Sequence, residues 1–318
     1  MRVLVTGASG FVGRVVLDRL LVRGHEVIAA TRRAGDTVHD GRVAWCAVGE
    51  VDGTTDWAPA LDGADAAIHL VARTHQVGES ADSAHTAYRT VNVEGTRRLA
   101  EQARVAGVGR LVFVSSVKAQ AERADTPLTE VHPPRPEDAY GAFKLEAERV
   151  LSATLASSAT RYTVIRPPLV YGPGVRANMR QLARAALAGW PLPFARVDNR
   201  RSLIGVDNLA DLLVHALDHP AAADRVFLAS DGADLSTPEL IRRIARAGGR
   251  RARLVPVPAG WLRAGLRLAG RPGVADRLLG SLRLDSGRAR RELGWQPPRT
   301  VDAGLEAMVA DILASQGA

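Results

Sequence analysis

Tyr140 and Lys144 stand four apart in the run Tyr-Gly-Ala-Phe-Lys, at the head of a stretch that Glu146, Ala147 and Glu148 continue as a helix. Residues at this spacing share a helix face, so an ammonium is placed beside a phenol. A phenol of pKa ~10 is a poor base near neutrality, and a neighbouring cation favours its phenolate form. Such a pair can give or take a hydroxyl proton while a hydride moves elsewhere. The same spacing occurs on many solvated helix faces, so its weight comes from position. It follows an apolar run, Arg110–Ser115, that ends in Val114-Ser115-Ser116. A serine hydroxyl at that strand end can hold a substrate oxygen in line with Tyr140.

A second constellation opens the chain. Arg2 to Thr6 is β-branched and apolar, Gly7, Gly10 and Gly13 follow, and Phe11 to Arg23 has the apolar spacing of a helix. A strand that turns through glycines into a helix aims the first helical N–H groups, here around Phe11 and Val12, at an anion, and the helix dipole favours a pyrophosphate there. Gly7 permits the turn, Gly10 lets the phosphates approach, and Gly13 lets helix and strand pack. The expected guest is a dinucleotide. At the end of the second strand an acid would select NAD, whereas arginine accommodates the 2′-phosphate of NADP. Thr31-Arg32-Arg33 stands there, with Asp36 too far into the loop to substitute. NADP(H) is therefore the favoured cofactor and NAD(H) the alternative. Glu50 and Val51, past the third strand, are placed for the adenine, and Leu70 and Val71, which end the fourth strand, with Ala72 after it, lie beside the pyrophosphate.

These groups need a frame. Strand-like runs at Arg2–Thr6, Glu26–Ala30, Val43–Ala47, Ala66–Val71, Arg110–Ser115 and Tyr162–Arg166 alternate with helical stretches near Phe11–Arg23, Tyr88–Ala106 and Ala139–Leu155. The alternation predicts an α/β fold with a doubly wound parallel sheet over residues 1–166. From 167 to 318, Pro167, Pro168, Gly172, Pro173, Gly174 and later prolines break the pattern, which predicts a smaller substrate-binding lobe. A strand at Val226–Ala229 and helices at Pro238–Ala247 and Ala259–Leu268 belong to it, while a segment near 202–217 is expected to return to the sheet. Trp261–Leu284 is basic and amphipathic, but its glycines and Pro272 favour packing on the lobe's own core over a membrane surface.

Composition narrows the field. The 318 residues carry a formal net charge of +8, with 46% hydrophobic and 24% charged residues, ordinary for a soluble globular protein. The charge suits an anionic substrate, and the dispersed arginines argue against a nucleic-acid arm. The one cysteine, Cys46, lies in an apolar run, as expected of a buried residue in a reducing compartment. With neither a signal-peptide pattern nor an apolar stretch of roughly 18 residues, a cytoplasmic protein without a membrane or metal partner is expected.

Taken together, Thr6-Gly7-x-x-Gly10-x-x-Gly13, Asn92-x-x-Gly95-Thr96, Ser115-Ser116, Tyr140-x-x-x-Lys144, Arg166-Pro-Pro-x-Val-Tyr-Gly-Pro-Gly174 and Glu292-Leu-Gly-Trp295 resemble the extended short-chain dehydrogenases/reductases of the NAD-dependent epimerase/dehydratase family. The resemblance implies Ser116 rather than Ser115 as the serine of the catalytic set, Tyr140 as acid/base, and Lys144 as a ribose contact that also tunes Tyr140. It adds Asn92 and Pro167 to the cofactor side. Asn178 and Arg201 match positions that hold a nucleotide diphosphate, with Arg277, Arg176 and Arg200 as auxiliaries. The stretch Ser-Ser-Val-Lys-Ala-Gln-Ala-Glu resembles a nucleotide-sugar subgroup, placing Lys118 near the substrate, and departs from it at Ala119, Gln120 and Ala121. The implied substrate is a nucleotide sugar, UDP-linked, with hydride transfer at C4. A 4-ketoreductase is favoured on the cofactor reading, a 4-epimerase with tightly held NAD is the alternative, and a 4,6-dehydratase is disfavoured by Val117-Lys118-Ala119. A non-catalytic NAD(P)-binding protein is the reading from another class. A homodimer formed through the helices near Tyr88–Ala106 and Ala139–Leu155 is also implied.

Overall fold

The computed structural model describes residues 1–33, 41–74, 81–268 and 272–315. The first strands are β1 (Arg2–Thr6), β2 (Glu26–Thr31), β3 (Val43–Ala47), β4 (Ala66–His69), β5 (Arg110–Val114) and β6 (Ala124–Leu128). They are followed by β7 (Arg161–Arg166), β8 (Leu169–Tyr171), β9 (Arg201–Gly205), β10 (Arg225–Leu228), β11 (Asp234–Leu235) and β12 (Leu282–Leu284). Seven of these make a parallel sheet in the order β10-β7-β5-β4-β1-β2-β3. Chain order reverses between β1 and β4, and in such sheets the crevice outside the carboxyl ends of those strands is where ligands bind.

Helices α1 (Phe11–Val22), α2 (Ala58–Leu61), α3 (Ala81–Tyr88), α4 (Gly95–Val105) and α5 (Ala139–Leu155) belong to the first half, and a π-helical turn, Arg89–Glu94, joins α3 to α4. The second half adds α6 (Ala177–Leu187), α7 (Val206–Asp218), α8 (Thr237–Ala247), α9 (Ala259–Leu268), α10 (Pro272–Leu279), α11 (Gly287–Leu293) and α12 (Val301–Ala314). The period-2 alternation of a strand sorts β1 between two cores. Val3 and Val5 pack with Val16, Leu17 and Leu20 of α1 and with Leu209 and Leu213 of α7. Leu4 faces the other way, towards Leu99, Ala100, Leu151 and Leu155 of α4 and α5. Each such buried side chain contributes roughly 1.5–3 kcal/mol.

Residues 201–218 do not enter the main sheet. β9 joins a second sheet of order β11-β9-β12-β6, with β8 paired to β9, and the chain then runs into α7, which lies on α1. The apolar positions Leu209, Leu212, Leu213 and Ala216 have helical spacing, which explains why this run is helix and not strand. The strand that rejoins the main sheet is β10, parallel to β7. A separate core around Tyr171, Met179, Phe194, Ile241, Ile244, Leu305 and Met308 holds the rest of the second half together.

Candidate active site

The glycine turn sits at the carboxyl end of β1, where the strand order reverses. Gly7 has φ +68°, and a Cβ on Gly13 would lie 2.3 Å from the Gly7 carbonyl oxygen, so the start of α1 rests directly on the turn. Gly10 is exposed and caps α1 without a side-chain hydrogen bond, and no acid stands in the first turn. The leading N–H groups of the helix, from Phe11, Val12 and Gly13, thus face outward with the dipole behind them. An uncapped, acid-free helix start behind a glycine cradle fits a dinucleotide pyrophosphate.

Beneath this turn runs a buried polar chain. Thr6 Oγ1 bonds His69 Nδ1 at 2.7 Å, His69 Nε2 lies 3.1 Å from Thr96 Oγ1, and Thr96 donates to the Asn92 carbonyl at 2.7 Å. Burial, reinforced by the charge of Lys144, holds His69 down at about 3, so its ring is neutral and bridges the two threonines. The Leu70 N–H reaches Thr6 Oγ1 at 3.2 Å, and the peptide N–H of Val71 approaches the same oxygen. Asn92, in the π-helical turn, accepts from the Arg73 N–H at 2.7 Å and donates to the Arg73 carbonyl at 3.1 Å. Its amide is therefore taken up by the chain after β4, and the cofactor contact expected of it becomes the positioning of the Leu70–Ala72 segment. Gly95 lets Val51 close in, since a Cβ there would meet Val51 Cγ1 at 2.7 Å.

At the adenosine end, Thr31 is buried and donates to the Arg33 carbonyl at 2.8 Å, while Arg32 and Arg33 are exposed. Arg32 Nη1 lies 3.4 Å from Glu50 Oε1. Both side chains are largely exposed, at 74% and 80%, so this weak surface pair does not withdraw Arg32 or Glu50 from the task expected of it. Asp36 lies outside the described residues.

The catalytic candidates meet at the ends of β5 and β7. The Ser115 hydroxyl is buried and donates to Glu148, whereas Ser116 is half-buried and accepts from the Lys118 N–H at 3.2 Å at the head of a short 3-10 turn. Of the two serines, Ser116 is the one open to the crevice. Pro167, at the end of β7, accepts from the Val117 N–H at 2.9 Å and so fixes this turn. Asp138 caps α5 through the Gly141 N–H at 2.7 Å. A Cβ on Gly141 would stand 2.3 Å from the Lys118 carbonyl oxygen, so the helix bearing Tyr140 and Lys144 rests on the serine turn.

The protonation pattern differs from the expected one. Burial, then the Asp138 carboxylate and the Tyr88 phenol, push Tyr140 well above an ordinary phenol. Burial holds Lys144 down at about 7, with Glu148 pulling the other way. The Lys144 ammonium donates to the Val114 carbonyl at 2.8 Å and sits 4.6 Å from the centre of the Phe113 ring. Facing β5, it does not lower the phenol as the i, i+4 spacing suggested, because a buried lysine takes the nearest strong acceptor.

Lys118, expected to meet the substrate, is held instead by Asp138 at 2.5 Å and Glu122 at 2.8 Å. It ties the serine turn to the cap of α5. Gln120 is buried and joins Arg166 at 3.1 Å, and Arg166 makes a two-pronged pair with Glu148 at 2.6 and 2.9 Å. The departure from the sugar subgroup at Ala119-Gln120 therefore points into the protein. Asp138, Glu122, Glu148 and the role of Arg166 were missed in the sequence. The Asp before Ala139-Tyr140 was a legible N-cap signal, but the others are paired across long stretches of chain.

On the substrate side, Asn178 is exposed in the first turn of α6. The loop before it lies against the glycine turn, with a Cβ on Gly174 3.6 Å from Phe11. Arg201 donates to the Gly280 carbonyl at 2.9 Å, Arg200 pairs with Glu239 at 2.7 Å, and Arg176 is exposed. Arg277 lies in α10, and its side chain is outside those described.

Comparison with known proteins agrees with this geometry. The model of the NAD dependent epimerase/dehydratase family matches residues 3–228. A UDP-glucose 4-epimerase of Vibrio cholerae is 38% identical over 307 residues, covering 96% of this chain and 93% of its own. A 2-alkyl-3-oxoalkanoate reductase of Stenotrophomonas maltophilia is 32% identical, covering 98% and 99%. Among solved structures, MoeE5 in complex with UDP-glucuronic acid and NAD superposes with a TM-score of 0.80 at 26% identity, covering 99% of this chain and all of that one. The NADP(H) preference expected from Arg32 and Arg33 finds no support there. The chain is an enzyme of the NAD-dependent epimerase/dehydratase family, an extended short-chain dehydrogenase/reductase.

Proposed function

We propose that this enzyme is a UDP-sugar 4-epimerase that keeps NAD bound between turnovers. The observation that carries the proposal is that the uncapped glycine turn after β1 and the Ser116 turn after β5 stand at the carboxyl ends of one parallel sheet, with α5, which bears Tyr140 and Lys144, resting on that serine turn. Similarity over nearly the full length to a UDP-glucose 4-epimerase supports the sugar, and the NAD held by MoeE5 supports NAD over NADP. Residues 1–166 carry the cofactor side and residues 167–318 mainly the substrate, with Asn178 and Arg201 on its diphosphate.

NAD, when bound, supplies a hydride acceptor and the positive charge of its oxidised ring. Tyr140 takes the proton of the C4 hydroxyl on oxidation and returns it on reduction, while the Ser116 hydroxyl orients that oxygen. The phenolate form needs nearby positive charge, because burial and Asp138 favour the phenol. The oxidised ring would supply it, because Lys144 faces the Val114 carbonyl on β5. Asp138, Lys118 and Gly141 keep the helix and the serine turn in register, so that the oxygen, the phenol and the hydroxyl stay aligned. We further propose a homodimer through α4 and α5, checked by light scattering on the purified chain.

The test is incubation with UDP-sugars, with and without reduced nicotinamide cofactor, and identification of products by mass and NMR. Interconversion of C4 epimers without added cofactor is the expected outcome. Net reduction that requires NADPH would assign the chain to the ketoreductases instead.

A further inference from the structure

The surface of the second lobe is lopsided in charge. From Leu240 to Ala275 the chain contains many arginines and neither Asp nor Glu. Arg250, Arg251, Arg253, Arg263 and Arg267 are exposed, and none has a carboxylate partner among the described residues. This run of chain includes α9, a helix with no buried residue. Leu262 and Leu266 rest on the lobe's core, which is the packing expected of this segment, but they account for one side only.

A second apolar stripe faces outward. Trp261, Ala264, Gly265 and Leu268 stand at i, i+3, i+4 and i+7, with Trp261 76% and Leu268 90% exposed. A Cβ built on Gly260 or Gly265 would meet nothing within 4 Å, so no other part of the described chain covers this side. Trp190, 64% exposed, and Val255 belong to the adjoining segments, which are joined by the Val255 N–H to the Leu192 carbonyl at 2.8 Å.

We propose that this face docks on the surface of an anionic lipid bilayer, with α9 lying in the headgroup layer. Trp261, Leu268 and Trp190 enter the boundary between headgroups and acyl chains, where indole rings are favoured. The unpaired arginines meet lipid phosphates. A symmetric second copy fits less well, because an isologous contact would set the same arginines against each other. Exposed Leu268 and Val255 suit acyl chains better than the bases of a nucleic acid. No described helix is long and apolar enough to cross a membrane, so the contact is one of lying on the surface. The proposal is independent of the sugar chemistry and goes beyond it.

The experiment is flotation of the full chain with vesicles of phosphatidylcholine alone, or mixed equally with phosphatidylglycerol. The chain is expected to float with the mixed vesicles only, with a blue shift of its tryptophan emission. Trp261→Ser with Leu268→Ser should lower partitioning about tenfold or more, and Arg263→Glu with Arg267→Glu should do the same. Both variants should keep wild-type turnover of a soluble UDP-sugar, so a failure here leaves the proposed activity standing. Absence of flotation by the wild type, or equal flotation by the Trp261/Leu268 variant, overturns the proposal. So does a dimer-to-monomer shift in that variant without vesicle binding, or retention of single-stranded RNA in place of vesicles.

Discussion

Lys144 is an uncomfortable residue, a cation buried under α5 and held down at about 7. Its unfolded value is 10.5, so between about 7 and 10.5 the unfolded chain binds more protons, and stability rises with pH across that window. Below about 7 the penalty is complete. Lys144→Met removes it, and calorimetry should show the variant melting above wild type at pH 6, by an amount that shrinks towards pH 10, while activity is lost. A variant no more stable than wild type at pH 6 would mean the ammonium is well solvated. Tyr140→Phe deletes only the proton-carrying oxygen and should lower kcat by about 10²–10⁴-fold with KM little changed. These two residues were legible because their types and spacing mark one helix face. The partners of Lys118 and Asn92 were not legible, because a side chain's partners come from the tertiary fold, here Asp138 and the backbone of Arg73.

At the scale of elements, the site depends on how closely two pieces of backbone approach. Gly141→Ala would drive a Cβ to 2.3 Å from the Lys118 carbonyl oxygen and push α5 away from the serine turn. The expected outcome is loss of stability of roughly 1–3 kcal/mol, as for other overpacked sites, with kcat falling further than binding. Denaturant melts and single-turnover rates on the same sample check both. Gly10→Val differs, because Gly10 is exposed and the new side chain fills the cradle in front of α1. Its Cβ would also stand 3.0 Å from the Gly7 carbonyl oxygen, so the melt should fall slightly while NAD retention, read from absorbance of the denatured protein, is abolished. The main-sheet strands and α1, α5 and α9 were readable from periodicity and glycine placement. α7 was not, since its chain position suggests a return to the sheet that β10 makes instead.

Across the whole molecule, a buried network of Ser115, Glu148, Arg166 and Gln120 ties β5, α5, β7 and the serine turn together. Glu148→Gln leaves Arg166 buried without its counter-charge and should cost about 3–5 kcal/mol, seen as a lowered midpoint in urea. Asp231 does similar work in the second half, accepting from Tyr171 and Asn208 at 2.7 Å each and from the Gly205 N–H at 3.1 Å. The cofactor reading shows the limit of the sequence, for Arg32-Arg33 suggests NADP, whereas MoeE5, similar over the whole chain, holds NAD. The most direct test of the account uses UDP-glucose carrying deuterium at C4, incubated with the purified enzyme and no added nucleotide. Retained NAD and return of hydride to the same sugar predict UDP-galactose with the deuterium still at C4. Loss of the label to free reduced cofactor, or no conversion until NADPH is added, would contradict it.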